Sequence, residues 1–183
     1  GAKYDELFAP EHQLEAILPP IKEERDKWGD FPIIAAGGIW DRNDIEKIMD
    51  LGADAVQMGT RFIGTHECDA SPVLKQVLIN AKEEDIVIVS SPVGYPGRAV
   101  KTDLIKTLEP GTKKIQCISN CIFPCNRGEG ARRVGYCIAD SLGDAYLGRL
   151  QSGLFFSGAN GYKLKEIVHV KDLIDELTIN ISS

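Results

Sequence analysis

The chain has 183 residues, 43% hydrophobic and 26% charged, with 21 basic against 27 acidic side chains and a net charge of −6. This is the composition of an ordinary globular domain, or one domain with an appendage, and it excludes a disordered tail, a collagen-like chain and a disulfide miniprotein. No apolar run reaches the ~18–20 residues that cross a bilayer, and the acidic balance lacks the basic footprint of a duplex-binding protein, so neither membrane nor nucleic acid is an expected partner.

The first 30 residues are polar with one amphipathic stretch, Leu14-Glu15-Ala16-Ile17-Leu18. Pro19-Pro20 is expected to interrupt it, because proline lacks the amide donor and clashes with the preceding turn; Ile21 to Trp28 can then resume a helix. Phe31-Pro32-Ile33-Ile34-Ala35-Ala36 is a short apolar run without alternation, which predicts a parallel strand buried on both faces and ended by Gly37-Gly38. Asp41 is the expected N-cap of a helix carrying Ile45, Ile48 and Met49 at helical spacing, with Gly52 as its stop. Ala53 to Met58 predicts a second strand, ended by Gly59. Strand, helix and strand in this order make a βαβ unit of a parallel sheet.

Further along, Leu74 to Glu84 predicts a helix and Ile86-Val87-Ile88-Val89 a strand. Ser91 to Gly97 is a loop of turn residues. Arg98 to Leu108 predicts a helix, as does Tyr136 to Leu150, with Ile138, Leu142, Ala145 and Leu150 on one side. Ser157 to Gly161 is a second turn-rich loop, and Asp172 to Leu177 a short amphipathic helix.

Two glycine turns, Gly37-Gly38 and Gly59-Thr60, each follow a predicted parallel strand. Ligands of parallel α/β folds bind at the carboxyl ends of strands, and in (β/α)₈ barrels the loops after the last two strands commonly hold a phosphate. Glycine lets backbone amides approach an anion unobstructed, and helix N-termini add free amides. Thr60 can add a hydroxyl donor and Gln57 an amide toward a ring or ribityl oxygen. The bland alternative is that these glycines only make tight turns.

The segments Pro32-Ile33-Ile34-Ala35-Ala36-Gly37-Gly38-Ile39, Leu51-Gly52-Ala53-Asp54-Ala55-Val56-Gln57-Met58-Gly59-Thr60-Arg61-Phe62 and Glu67-Cys68-Asp69-Ala70 resemble the nitronate monooxygenase family, formerly 2-nitropropane dioxygenases. Ser91-Pro92-Val93-Gly94-Tyr95-Pro96-Gly97-Arg98-Ala99 and Phe156-Ser157-Gly158-Ala159-Asn160 resemble its later part. The resemblance also extends to the related flavin-dependent enoyl-acyl-carrier-protein reductases. It implies an α/β fold, the C-terminal part of an FMN-binding (β/α)₈ TIM barrel plus a helix-rich C-terminal segment. Residues 1–90 would be the last βα units with the FMN phosphate site, and 91–183 a loop and helical segment with the cysteine cluster. It implies FMN held by Gly37, Gly38, Gln57, Met58, Gly59 and Thr60. It further implies oxidation of alkyl nitronates with O₂, in which a base takes a proton from the carbon bearing the nitro group and the flavin carries the redox chemistry. A small-molecule substrate follows.

A whole barrel takes about 250 residues. The family's first strands, and the segment with its catalytic histidine, are therefore expected upstream of residue 1 or at its edge. His12, His66 and His169 lie outside the family's catalytic context, and no catalytic residue is assigned. The expected partner is the missing N-terminal half or a second copy, since half a barrel leaves open strand edges.

Five cysteines, an odd number without a visible signal peptide, point to a reducing compartment, and cytoplasm is the expected location. Cys117, Cys121, Cys125 and Cys137 crowd together, and four thiolates suit Zn²⁺ or an iron–sulfur cluster; buried reduced thiols are the alternative. Arg98, Arg132 and Arg133 could meet an anionic cofactor or carrier. Alongside a nitronate oxidase stand two other readings: an FMN-dependent enoyl-acyl-carrier-protein reductase, and a non-catalytic fragment organised by a cysteine-bound metal.

Overall fold

The computed structural model describes residues 10–29, 31–108, 120–122, 125 and 133–178. The chain groups into two compact units, one of Gly1–Glu67 with Val168–Ser183, the other of Cys68–Ile167. The boundary expected near residue 90 falls inside the second.

In the first unit, helix α1 runs unbroken over Leu14–Trp28 with Pro19 and Pro20 inside it, against the interruption expected from sequence. The two prolines remove the amides that would bond the carbonyls of Glu15 and Ala16, and both of those residues are exposed, so water can satisfy the freed oxygens. Leu18 is buried in the core with Leu14 packed beside it, and this tertiary packing holds the helix together.

Strand β1 (Ile34–Ala36) pairs in parallel with β2 (Ala55–Gln57), in the register Ile34 with Ala55, Ala35 with Val56 and Ala36 with Gln57. The expectation of burial on both faces is corrected: Ile33 and Ala35 point into the core with Val56, whereas Ile34 is 61% exposed. The side chains alternate as period-two geometry requires; the second apolar face lacks a cover among the described residues.

Helix α2 (Arg42–Asp50) joins the strands, completing the expected βαβ unit. Asp41 caps it, accepting from the Asp44 amide at 3.0 Å, while the Asp44 carboxylate accepts from the Asp41 amide at 3.3 Å. At its other end the Gly52 amide bonds Met49 and the Ala53 amide bonds Ile48, the paired bonds of a left-handed helix stop, with Gly52 at φ 105°. Ile45 and Ile48 are buried; Met49 is 39% exposed at the edge of the stripe. A four-residue helix, α3 (Thr60–Ile63), follows β2. The unit is closed by the last helix, Val170–Thr178, which packs on α2 with Leu173 and Leu177 in the core, as its amphipathic pattern predicts.

The second unit begins with α4 (Pro72–Asn80). Ser71 caps it through Leu74, and it starts earlier and stops earlier than the expected 74–84, because residues 83–85 turn into a 3₁₀ segment bonded back to Lys82. Strand β3 (Ile86–Val89) pairs antiparallel with β4 (Gly97–Val100). The helix expected over Arg98–Leu108 is thereby corrected, and the helix-rich C-terminal segment begins with a strand. Arg98 and Ala99 are drawn into the hairpin by β3 and by the residues around Phe156 (Val100 amide to Phe155, Ser157 amide to Arg98), leaving only α5 (Asp103–Lys106). Helix α6 (Ile138–Tyr146) is shorter than expected, since Gly148 and Arg149 bond back to Ala145 and Asp144, and Leu150 lies exposed beyond it. The Val170–Thr178 helix is α7 in chain order. Val89, Ala99, Tyr136, Ile138 and Leu154 form this unit's core, and the buried Tyr136 hydroxyl donates to the Ser90 carbonyl at 2.7 Å. Among the described residues no helix is long and apolar enough to cross a membrane.

Candidate functional site

The parallel register sets Ala36 beside Gln57, so the chains leaving the two strands start as neighbours, about 4.8 Å apart. Gly37 and Gly38 continue one strand at φ 103° and 72°, a region that other residues rarely enter. Met58, Gly59 and Thr60 continue the other, with Gly59 capping α3 and accepting from the Phe62 amide at 2.9 Å. A Cβ placed on Gly37, Gly38 or Gly59 would meet nothing within 4 Å. The glycines therefore line open space that side chains would fill, rather than relieving a close helix–strand contact. This is the geometry a phosphate needs to reach backbone amides.

The residues expected around FMN thus fall together at the ends of adjacent strands. Gln57 alternates outward with Ala36, on the face away from the core, where its amide is exposed. The Met58 side chain packs against the core, so only its backbone is available at the turn. The N-terminus of α2 carries its own reciprocal cap. There the Asp44 amide is taken by the Asp41 carboxylate, and the Asp44 carboxylate accepts from the Trp40 amide at 2.8 Å, which places two carboxylates beside that end of the helix. A cleft of about 120 Å³ opens behind Gly37 and Gly38, against the first residues of α1. Its carboxylates Glu15 and Asp44 outnumber its one cation. Lys47 is committed to Glu15 at 2.6 Å, a bond that holds the Glu15 carboxyl below its usual range. The charge of that cleft disfavours an anion on the side of Gly37 and Gly38 that faces α1.

Two groupings escaped the sequence reading. Arg61 lies over the Trp40 ring, 5.0 Å from its centroid, and donates to Glu176 of α7. Glu67 accepts from the Val170 amide at 2.9 Å and meets His169 Nδ1 at 3.1 Å, which holds its carboxyl below the usual range, mainly through the Val170 amide. His66 stacks on His169 with ring centroids 4.5 Å apart. Arg61 is 21 positions from Trp40 and 115 from Glu176, and Glu67 is 102 from His169, so no local pattern marks these groups. His12 sits exposed in a 3₁₀ turn ahead of α1.

The expected metal set is not assembled among the described residues, where no group of three or more His, Cys, Asp or Glu side chains is placed to hold an ion. Cys121 is exposed, Cys125 buried and Cys137 half-buried, and all are free thiols; Cys117 lies outside the described residues. Arg98 belongs to β4, Arg133 is exposed, and Arg132 lies outside the described residues.

The family model for nitronate monooxygenase matches residues 5–180. A probable nitronate monooxygenase of Staphylococcus aureus strain Newman is 39% identical over 113 residues, 59% of this chain and 31% of that protein. Another, from Staphylococcus saprophyticus, is 39% identical over 75 residues, 41% of this chain and 21% of that protein. Among solved structures, FabK from Thermotoga maritima superposes with a TM-score of 0.68 at 28% identity, over 90% of this chain and 47% of that one. Nitroalkane oxidase from Streptomyces ansochromogenes superposes at 0.65 with 20% identity, over 99% and 46%, a likeness of fold. The chain spans less than half the length of these structures and about a third or less of the curated relatives.

Proposed function

The chain belongs to the nitronate monooxygenase family, and we propose that it is the C-terminal part of an FMN-dependent oxidoreductase that oxidises alkyl nitronates with O₂. The observation that carries this reading is the pair of glycine turns at the ends of adjacent parallel strands, lining open space at Gly37, Gly38 and Gly59. The turn amides and Thr60 bind the phosphate, and Gln57 orients the ring or ribityl oxygens. FMN supplies the redox chemistry when bound, while these residues hold it in place. The proton-abstracting base comes from another part of the enzyme. We place the enzyme in the cytoplasm, acting on a small molecule.

The exposed face of β1 and β2, with Ile34, Ala36, Ala55 and Gln57, supports a partner. The outer edges of both strands have no ladder partner among the described residues. We assign that face and those edges to the remaining barrel strands, contributed by another segment of the protein or by a second copy. The 28% identity to FabK favours a second reading, an FMN-dependent enoyl-acyl-carrier-protein reductase.

The test is a visible absorption spectrum of the purified chain, repeated on the supernatant after heat denaturation. A flavin spectrum released into the supernatant supports the cofactor assignment. A broad absorbance lost with the protein would move the cysteines forward, and a colourless protein to which added FMN does not bind would overturn the flavin reading for this chain. Oxygen uptake with an alkyl nitronate, against NADH consumption with an enoyl thioester, separates the two enzymes.

A further inference from the structure

The turns after β1 and β2 are joined by a side chain that the glycine pattern does not explain. Arg61, the second residue of α3, stacks on Trp40, which closes the first turn two residues beyond Gly38. Trp40 is itself anchored: the residue is 7% exposed and its amide donates to the Asp44 carboxylate. On its other side Arg61 Nη2 bonds Glu176 of α7. Arg61 Nε is buried without a hydrogen-bond partner among the described residues. The guanidinium is thus held there at the cost of one unsatisfied donor, by a ring face and a carboxylate from two different elements. A planar guanidinium suits this double role, since it stacks through its face while donating through its edge.

We infer that Arg61 is a positioning residue: it clasps the two glycine turns to each other through Trp40, and its bond to Glu176 makes their separation depend on α7. The clasp stands on the geometry alone. Its consequence for a ligand rests on the FMN reading above, because a phosphate bonded by amides of both turns requires a fixed distance between them.

Amide hydrogen exchange of the full chain tests the clasp without any ligand. Arg61→Gln, Trp40→Leu and Glu176→Gln should each speed exchange across both 37–40 and 58–61, by about tenfold for the first two. Trp40→Phe keeps a ring face under the guanidinium and should remain near the wild-type rates. The helix stop at Gly52 and Ala53 serves as the internal reference and should not change. Acceleration confined to 58–61 in Arg61→Gln would overturn the inference, as would uniform acceleration that includes the reference, or Trp40→Leu behaving like the wild type.

FMN titration, followed by quenching of flavin emission, tests the consequence. Affinity should fall about tenfold in Arg61→Gln and Trp40→Leu and be retained in Trp40→Phe. The exchange pattern without FMN binding in the wild-type chain would sink the flavin reading and leave the clasp standing. FMN binding unaltered by all three disruptive variants would sink the coupling of clasp to cofactor.

Discussion

Asp54 and Ile33 exchange two hydrogen bonds at the start of the parallel pair: the Asp54 amide donates to the Ile33 carbonyl at 2.8 Å, and the Ile33 amide donates to the Asp54 carboxylate at 2.7 Å. Arg25 at the end of α1 adds its guanidinium to the same carboxylate at 2.7 Å. One side chain thus ties the helix, the first strand and the second strand at the end remote from the glycine turns.

The Asp54 carboxyl is held below its usual range, first by the Ile33 amide and then by Arg25. A carboxylate lowered in the folded state contributes stability that is complete above its unfolded pKa of ~3.9 and is lost as the pH falls through the folded value. In urea unfolding, the stability difference between the wild type and Asp54→Asn should be constant above about pH 5 and close below about pH 4. A difference that widens on acidification would contradict this bonding.

Gly59→Ala and Gly38→Ala separate cradle from backbone strain. Gly59 has a negative φ of −115°, outside the left-handed region that favours glycine, and its Cβ would project into open space. Its replacement should leave thermal stability nearly unchanged and weaken FMN binding about tenfold or more, since a methyl would occupy the place of the phosphate. Gly38, at φ 72°, should lose FMN binding and also about 1–2 kcal/mol of stability. Normal FMN binding by Gly59→Ala would remove that turn from the site.

The reciprocal cap of α2 should be measurable by itself. Asp41→Ala removes the acceptor of the Asp44 amide and should cost about 1 kcal/mol in chemical denaturation. Asp44→Ala should cost at least as much, because that carboxylate serves both the Trp40 and Asp41 amides. It should also disturb the first turn, read as faster amide exchange at 38–41.

Ile34, 61% exposed beside Ala36 and Ala55 on the outward sheet face, should promote association of the chain alone. Light scattering should show Ile34→Lys shifting the chain toward monomer with little change in its melting temperature, since the side chain does not enter the core. In a protein that supplies the remaining strands the same substitution should be severely destabilising, because the charge would be buried without a partner. Equal tolerance in both settings would argue against a covered face.

The elements that sequence reading captured are those decided within a few residues. Asp41 as cap, Gly52 as stop and Gly37-Gly38 and Gly59 as strand ends were legible because each satisfies or frees backbone groups of its immediate neighbours. The misreadings share a cause in distant contacts. Pro19 and Pro20 stay within α1 because Leu18 packs into a core built largely from later residues. Gly97–Val100 is a strand because β3 and the residues around Phe156 offer it ladder partners, and a helical pattern in the same residues was misleading.

From the sequence alone came the βαβ order, the position of the two glycine turns and the family to which they are similar, because these depend on local backbone chemistry and on motif spacing. The tertiary structure decided what surrounds them. It placed Ile34 outward, packed the Met58 side chain inward, set the Arg61 guanidinium against Trp40 and Glu176, and brought Glu67 to His169 across 102 positions. Such pairings depend on the path of the chain between the partners, and no periodicity within either segment encodes that path.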